Sequence, residues 1–211
     1  MSERSPKAAK VCVLASGGVE STALIAAALK RRADVTPLYV ASGFVWEKAE
    51  FAHLERICRK LASPRLSAPQ KSAAPSARAI APRWCTGAAP APGVQSPDDA
   101  VGIPGRNLLL LAHAASFAAK RKIGRIEIGV LGSNPFPDAT PAFLRSVQRA
   151  FSRALGAPLT IAAPLRGLKK RDVARRLDPS VLELTFSCLR PRGLKPCGAC
   201  NKCAERARAA S

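Results

Sequence analysis

KVCVLASGGVESTALIAAALKRR, residues 10–32, holds three signals in a row. KVCVLA (10–15) is a short β-branched run that ends at glycines, which reads as a buried strand. STALIAAALKRR (21–32) follows as a helix, with a serine near its start and basic residues in its last turn. Ser16, Gly17, Gly18, Ser21 and Thr22 occupy the junction. Glycines allow a tight turn whose N–H groups can approach a ligand, and the helix N-terminus behind them carries partial positive charge. Such a junction suits phosphate. Its residues fit neither G-x-x-x-x-G-K-S/T nor G-x-G-x-x-G, which speaks against the Walker and Rossmann classes. Taken alone, the turn is equally compatible with a plain strand-to-helix connection.

Outward from this junction, strands and helices alternate. DVTPLYV (34–40) is a second strand, weakened by Pro37, and EKAEFAHLERICRKLA (47–62) is a second helix. Residues 63–104 are rich in Pro, Ala and Ser with little periodicity, and read as a long loop with room for one strand. NLLLLAHAASFAAKRK (107–122) is a strongly apolar helix, RIEIGVL (125–131) a strand and TPAFLRSVQRAFSRAL (140–155) a helix. LTIAAPL (159–165) adds a strand and KKRDVARRL (169–177) a helix. This alternation predicts an α/β fold, a parallel sheet covered on both faces. A chain of 211 residues accommodates one domain with a full core, so residues 1–211 are expected to fold together.

Charge and compartment bound the function. Lys and Arg number 34 against 14 acids, a balance of +20, and residues 101–211 hold 20 of those bases with six acids. That balance favours polyanionic ligands such as nucleotides, RNA or phosphate-rich substrates, although arginines that only solvate helix faces would give the same count. Aromatic residues are 5%, leaving few stacking platforms for single-stranded nucleic acid. The N-terminal apolar run VCVLA is too short for a signal peptide, and no stretch approaches the 18 or so apolar residues of a membrane span. The chain is therefore read as cytoplasmic, with reduced thiols.

Four of the seven cysteines crowd into SCLRPRGLKPCGACNKC (187–203), spaced C-x8-C-x2-C-x2-C through Cys188, Cys197, Cys200 and Cys203. A C-x2-C pair is too tight for an ordinary structural bridge, whereas two overlapping pairs converge on a tetrahedral metal. Zinc is the favoured reading, with a redox or disulfide role as the alternative. Four thiolates leave no open coordination position, so the metal would be structural and would staple the tail, 187–211, to the domain. Cys12 and Cys58 read as small hydrophobes, Cys85 as a thiol in the loop, and His53 and His113 as structural.

Four ordered stretches then carry a resemblance that spans nearly the whole chain. SGGVES (16–21) is similar to the Ser-Gly-Gly-x-Asp-Ser loop of the PP-loop ATP pyrophosphatases, with Glu20 in the Asp position. IPGRN (103–107) resembles the Pro-x-Arg-Asn motif of the 7-cyano-7-deazaguanine synthases of queuosine biosynthesis. PLRGLKKRDV (164–173) is similar to their Pro-Leu-x-x-x-x-Lys-x-Glu-Ile segment, and the cysteine-rich tail to their zinc signature. The chain is thus identified as a divergent member of that family.

The resemblance implies a five-stranded parallel sheet of the adenine nucleotide alpha-hydrolase type, ATP and Mg²⁺ as cofactors, and a structural Zn²⁺ on Cys188, Cys197, Cys200 and Cys203. It implies that Ser16, Gly17, Gly18, Ser21 and Thr22 hold ATP phosphates with Glu20 as a further cofactor-binding residue, and that Arg106, Asn107, Asp138 and Lys170 serve the reaction. In that reaction ATP adenylates a small-molecule carboxylate, ammonia displaces AMP to give an amide, and a second ATP turns the amide into a nitrile. A carbon–nitrogen ligase releasing AMP and pyrophosphate is the expected activity. An enzyme modifying RNA or a protein is the alternative, as is a nucleotide-binding protein with altered catalysis; RNA is not favoured, and a homodimer is possible. Lysine on a basic helix is more often merely solvated, so Lys170 has that bland reading too.

The departures point to an altered substrate half. The family's Tyr-Pro-Asp-Cys-Arg-Pro-Glu-Phe stretch appears as FPDATPAF (136–143), which keeps Asp138 but has Ala139 and Thr140 where Cys and Arg would stand. The segment after the second strand is ASGFVWEKAE, in which Trp46, Glu47 and Glu50 are candidates for base stacking and for Mg²⁺ or ammonia contacts. The alternative makes Trp46 ordinary core and the glutamates a helix start. Loss of an arginine at Thr140 predicts weak activity on 7-carboxy-7-deazaguanine and preference for a related acid, with Arg145 as a stand-in cation.

Overall fold

A computed structural model describes residues 8–75 and 77–210. Five strands are present: β1 (Lys10–Leu14), β2 (Asp34–Ala41), β3 (Gln70–Ala73), β4 (Arg125–Glu127) and β5 (Thr160–Ala162). All pair in parallel in the order β3-β2-β1-β4-β5. The helices are α1 (Val19–Lys30), α2 (Glu47–Lys60), α3 (Ala77–Ile80), α4 (Arg106–Lys120), α5 (Pro141–Ala154), α6 (Lys170–Ala174), α7 (Pro179–Leu182) and α8 (Asn201–Ala210).

Alternation along β1 sorts the two faces of the sheet. Val11 and Val13 join the core beneath α1, α2 and α6, while Cys12 and Leu14 join the core beneath α4 and α5. A strand buried on both faces must be apolar throughout, and KVCVLA meets that demand. Both faces are therefore covered, as the alternating pattern predicts.

The chain leaves β1 for β2 and β3 on one side, then returns to β4 on the other. Loops after β1 and β4 consequently diverge at the carboxyl ends of adjacent strands, and ligands of open α/β sheets bind in that crevice. Pairing in β4 stops at Glu127 although the apolar run continues to Leu131. Beyond it Gly129 passes so close to α1 that an added Cβ would lie 2.9 Å from the Glu20 Cβ, so the chain peels away and opens the crevice. β5 likewise ends before Pro164, which cannot donate to a ladder. The helix expected over 169–177 is confined to Lys170–Ala174, and α7 beyond it begins at Pro179 with an Asp178 cap that spacing alone did not signal.

The long segment 63–104 supplies the expected strand as β3 and then docks through apolar anchors. Trp84 stacks on Trp46 with ring centroids 5.6 Å apart, and Cys85 is wholly buried. Burial pushes the Cys85 thiol up to about 11, so it is core and not a reactive nucleophile. Among the described residues no helix is long and apolar enough to cross a membrane.

One buried charge sits in the sheet itself. Glu127 is wholly buried, and its Oε1 accepts from Arg31 at 2.7 Å and Arg125 at 2.8 Å. Removing both arginines strands a carboxylate in the core, whereas removing the carboxylate frees two half-exposed cations. The Arg31→Ala/Arg125→Ala double variant should lose about 3–5 kcal/mol in urea unfolding, and Glu127→Leu far less. A double-variant loss below about 1 kcal/mol would contradict this assignment.

Candidate active site and metal centre

The turn after β1 is shaped by Gly17, whose φ of +80° belongs to the left-handed region. A Cβ there would lie 3.1 Å from both Glu50 O and Leu54 N on α2, so backbone packs where a side chain would be. Gly18 then opens α1 in extended conformation with no side-chain cap. The first N–H groups of the helix are thus left for a ligand or solvent.

Two adjoining lobes of about 270 and 280 Å³ open at this helix end and share Ser16, Glu20, Glu50, Arg106 and Lys202 among their walls. The first has an apolar floor of Leu14, Leu38, Val40, Leu110 and Ile128, with Ser21, Tyr39, Asn107 and Asp138 around it. Gly18, Asp98, Ser133, Lys170, Ser187 and Glu205 line the second, which is polar and lies toward the tail. Ser16, Gly18, Glu20, Ser21, Arg106, Asn107, Asp138 and Lys170 are therefore brought together. Thr22 is not: it is wholly buried, and its hydroxyl donates to Gly18 O at 2.8 Å, closing the first turn of α1. Ser21 makes the same backbone contact at 3.2 Å but keeps a face on the cavity.

Asn107 and Asp138 form one unit. The Asn107 N–H donates to Asp138 Oδ2 at 2.8 Å, and its amide donates to Oδ1 at 3.1 Å, which ties α4 to the turn after β4. Arg106 lies over the rings of Phe44 and Trp46, 5.8 and 6.0 Å from their centroids, and its buried Nε has no hydrogen-bond partner among the described residues. Trp46 is core, 2% exposed, and does not reach the cavity. Glu47 is spent on the N–H groups of Ser42 and Gly43.

Lys170 is not a solvated helix lysine. Its Nζ sits 3.0 Å from Glu20 Oε1 and 3.0 Å from Glu205 Oε1. Burial works against the ammonium, but Glu20 and Glu205 more than offset it, so its pKa is raised above the ordinary lysine value. Glu205 in turn meets Lys202 at 2.7 Å. The chain Glu20–Lys170–Glu205–Lys202 thereby connects the loop after β1 to α8. Glu205 and Lys202 join the site without a sequence signal beyond their i, i+3 relation within the cysteine-rich tail.

The substrate stretch needs correction. Phe136 and Asp138 face the cavity, but Ala139 is buried in the core and Thr140 is exposed, its hydroxyl accepting from Phe143 N–H as the cap of α5. Threonine at that position removes no cation from the cavity wall. Arg145, on the exposed face of α5, lines neither lobe and cannot stand in for one.

In the tail, the four expected sulfurs lie within 4.8 Å of one another. Cys197–Cys203 and Cys200–Cys203 are 3.9 and 3.5 Å apart, against the roughly 3.8 Å edge of a tetrahedron with 2.3 Å metal–sulfur bonds and the roughly 2 Å of a disulfide. Backbone N–H groups of Leu189, Arg190 and Cys197 donate to these sulfurs at 3.2–3.4 Å, the support that metal-bound thiolates need. The donor set fits a tetrahedral metal. Asn201 fastens the knuckle to the long segment, donating to Ser96 O at 2.7 Å, and its own N–H donates to Pro92 O at 3.0 Å. His53 places its ring nitrogens 2.8 Å from Leu184 O and 3.0 Å from Leu194 O, a structural role as expected.

Residues 10–211 match the family described as queuosine biosynthesis protein QueC, and the chain belongs to that family. It is 33% identical to a 7-cyano-7-deazaguanine synthase of Anaeromyxobacter sp., an alignment covering 98% of this chain and 92% of that protein. A 7-cyano-7-deazaguanine synthase 1 of Desulfitobacterium hafniense is 29% identical, over 95% and 90% of the two chains. With a synthase of Methanosarcina barkeri the identity is 36%, but the aligned part spans only 58% of this chain and 54% of the relative. A U34-tRNA thiolase, NcsA, of Methanococcus maripaludis shares the fold at a TM-score of 0.50 and 12% identity, covering 97% of this chain and 65% of the other.

Glu50 generates a pH-dependent prediction. Burial pushes its carboxyl up to about 7; Arg106 and the Tyr39 hydroxyl, which donates at 2.8 Å, oppose the rise, and Glu47 adds to it. A folded pKa above the unfolded value of 4.5 means that the native state holds the proton more tightly. Its carboxylate thus costs no stability below about pH 4.5, a growing amount up to about pH 7, and a constant amount above. Glu50→Gln should raise stability by on the order of 2–3 kcal/mol at pH 8 and hardly at all at pH 4.5. A stability difference that stays flat between these pH values would refute the burial of this charge.

Proposed function

We propose that this protein is an ATP-dependent carbon–nitrogen ligase that converts 7-carboxy-7-deazaguanine to 7-cyano-7-deazaguanine. Supporting it most is the pairing of an uncapped glycine turn at the switch point of the sheet with relatives of that name aligned over nine-tenths of their length. Under this reading residues 10–211 work as one domain, tail included.

The apolar floor of the first lobe suits adenosine, and Ser16, Gly18 and Ser21 with the N-terminus of α1 suit its phosphates. The substrate carboxylate attacks the α-phosphorus of ATP, pyrophosphate leaves, and an acyl-adenylate forms. Ammonia adds to the acyl carbon and AMP departs, leaving the amide. The amide oxygen then attacks the α-phosphorus of a second ATP, pyrophosphate leaves, and loss of AMP and of both amide protons gives the nitrile. Little covalent chemistry falls to the protein, whose contribution is position and charge. Arg106 is a fixed cation beside the leaving phosphates, on the wall common to both lobes. Asp138 holds Asn107 and the start of α4 in register. Lys170 keeps Glu20 and the phosphate loop in place.

Carboxylates outnumber cations in the two lobes: Glu20, Glu50, Asp98, Asp138 and Glu205 face Arg106, Lys170 and Lys202. A polyphosphate enters such a cavity best with its own counter-ion, and Mg²⁺ supplies that neutralisation. The thiolate knuckle holds Zn²⁺, a structural ion with no open position.

Incubation with ATP, Mg²⁺, ammonium and 7-carboxy-7-deazaguanine should yield the nitrile with AMP and pyrophosphate, read by mass spectrometry and ³¹P NMR. ADP as the nucleotide product would overturn the reading. Ser16→Ala should lower turnover at least tenfold with an unchanged melting temperature, since its hydroxyl serves no core contact. Metal analysis of protein purified under reducing conditions should find about one zinc per chain; Cys200→Ser should lose it.

A further inference from the structure

We infer that Lys202, carried by the metal knuckle, is the cation that holds the substrate's carboxylate, an inference that rests on the ligase reading above. Three cations line the lobes, and two are committed elsewhere. Lys170 is neutralised by two carboxylates, each 3.0 Å away. Arg106 lines both lobes too, but it packs over Phe44 and Trp46 beside Glu50 and is taken by the leaving phosphates. Lys202 lines both lobes, and its one ion pair among the described residues is with a Glu205 that it shares with Lys170. An ammonium has three donors, so Lys202 keeps two for a ligand. Its side chain is 28% exposed, open enough to be reached and covered enough for a charge-assisted bond to count.

Its position suits one atom of the reaction above the others. The lobe with the apolar floor takes the nucleoside, and the polar lobe begins at the phosphate loop. A carboxylate about to attack the α-phosphorus must sit where the two meet, and Lys202 is at that boundary. Residue order fixes it there: Cys203 follows directly, Asn201 before it is tied to Ser96 and Pro92, and Glu205 fixes the ammonium from one turn on. The knuckle is thereby a wall of the active site as well as a staple.

The test uses the full zinc-loaded chain, with Lys202→Ala and Lys202→Arg. Calorimetric titration measures affinity for 7-carboxy-7-deazaguanine, for neutral 7-cyano-7-deazaguanine and for Mg-ATP, and zinc content and melting temperature are recorded for each variant. Lys202→Ala should weaken the acid about 10- to 100-fold, leave the nitrile and Mg-ATP within about twofold, and keep its zinc. Lys202→Arg should recover most of the acid affinity. Equal loss for acid and nitrile, or no loss for either, would overturn the role of Lys202 while the ligase reading stands. Failure of the wild-type protein to bind or turn over the acid would instead overturn the ligase reading, and this inference with it.

Discussion

The absence of a side chain at Gly17 is the constraint on which the carboxyl end of the sheet depends. With 3.1 Å between its Cβ position and the backbone of α2, the turn after β1 is pressed against Glu50 and Leu54. Its carbonyl accepts from the Phe186 N–H at 2.8 Å, two residues before the first tail cysteine. The loop after β1 is thus held between a helix and the approach to the four-cysteine knuckle. His53 on α2 reaches the same tail at Leu184 and Leu194 and stacks on Phe186, with centroids 4.7 Å apart. Loop, helix and tail form one packed unit, and the ion chain from Glu20 to Lys202 runs across its open side.

This arrangement separates two kinds of charge. The sequence carries an excess of +20, yet the cavity walls hold five carboxylates and three cations. Positive charge lies instead on outer faces such as that of α5, where Arg145, Arg149 and Arg153 are all exposed. Overall composition therefore misdescribes the site. A cavity of this balance offers no general attraction to anions, so any selectivity there depends on a few placed donors.

Periodicity was legible where burial dictates it. β1 and α1 are apolar because both faces of the sheet are covered, and their boundaries fall within a few residues of expectation. The cysteine spacing was equally legible, because a tetrahedral donor set needs close pairs. What sequence could not give was the direction of side chains in irregular segments. Thr140 looked like a lost substrate contact but caps a helix, and Trp46, open between stacking platform and core, is core. Lys170 was ambiguous until Glu20 and Glu205, distant in sequence by 150 and 35 residues, were seen on either side of its ammonium. Tertiary pairing of this kind leaves no local pattern.

The central claim is that the four-cysteine knuckle and the loop after β1 are one structural unit. Hydrogen–deuterium exchange, followed by mass spectrometry on the metal-loaded chain and on the same chain stripped by a chelator, measures it peptide by peptide. The account predicts that metal removal deprotects residues 186–210 and also 15–22 and 168–174, while strands β1, β2 and β4 keep their protection. Deprotection confined to 186–210, with the loop after β1 unchanged, would contradict it.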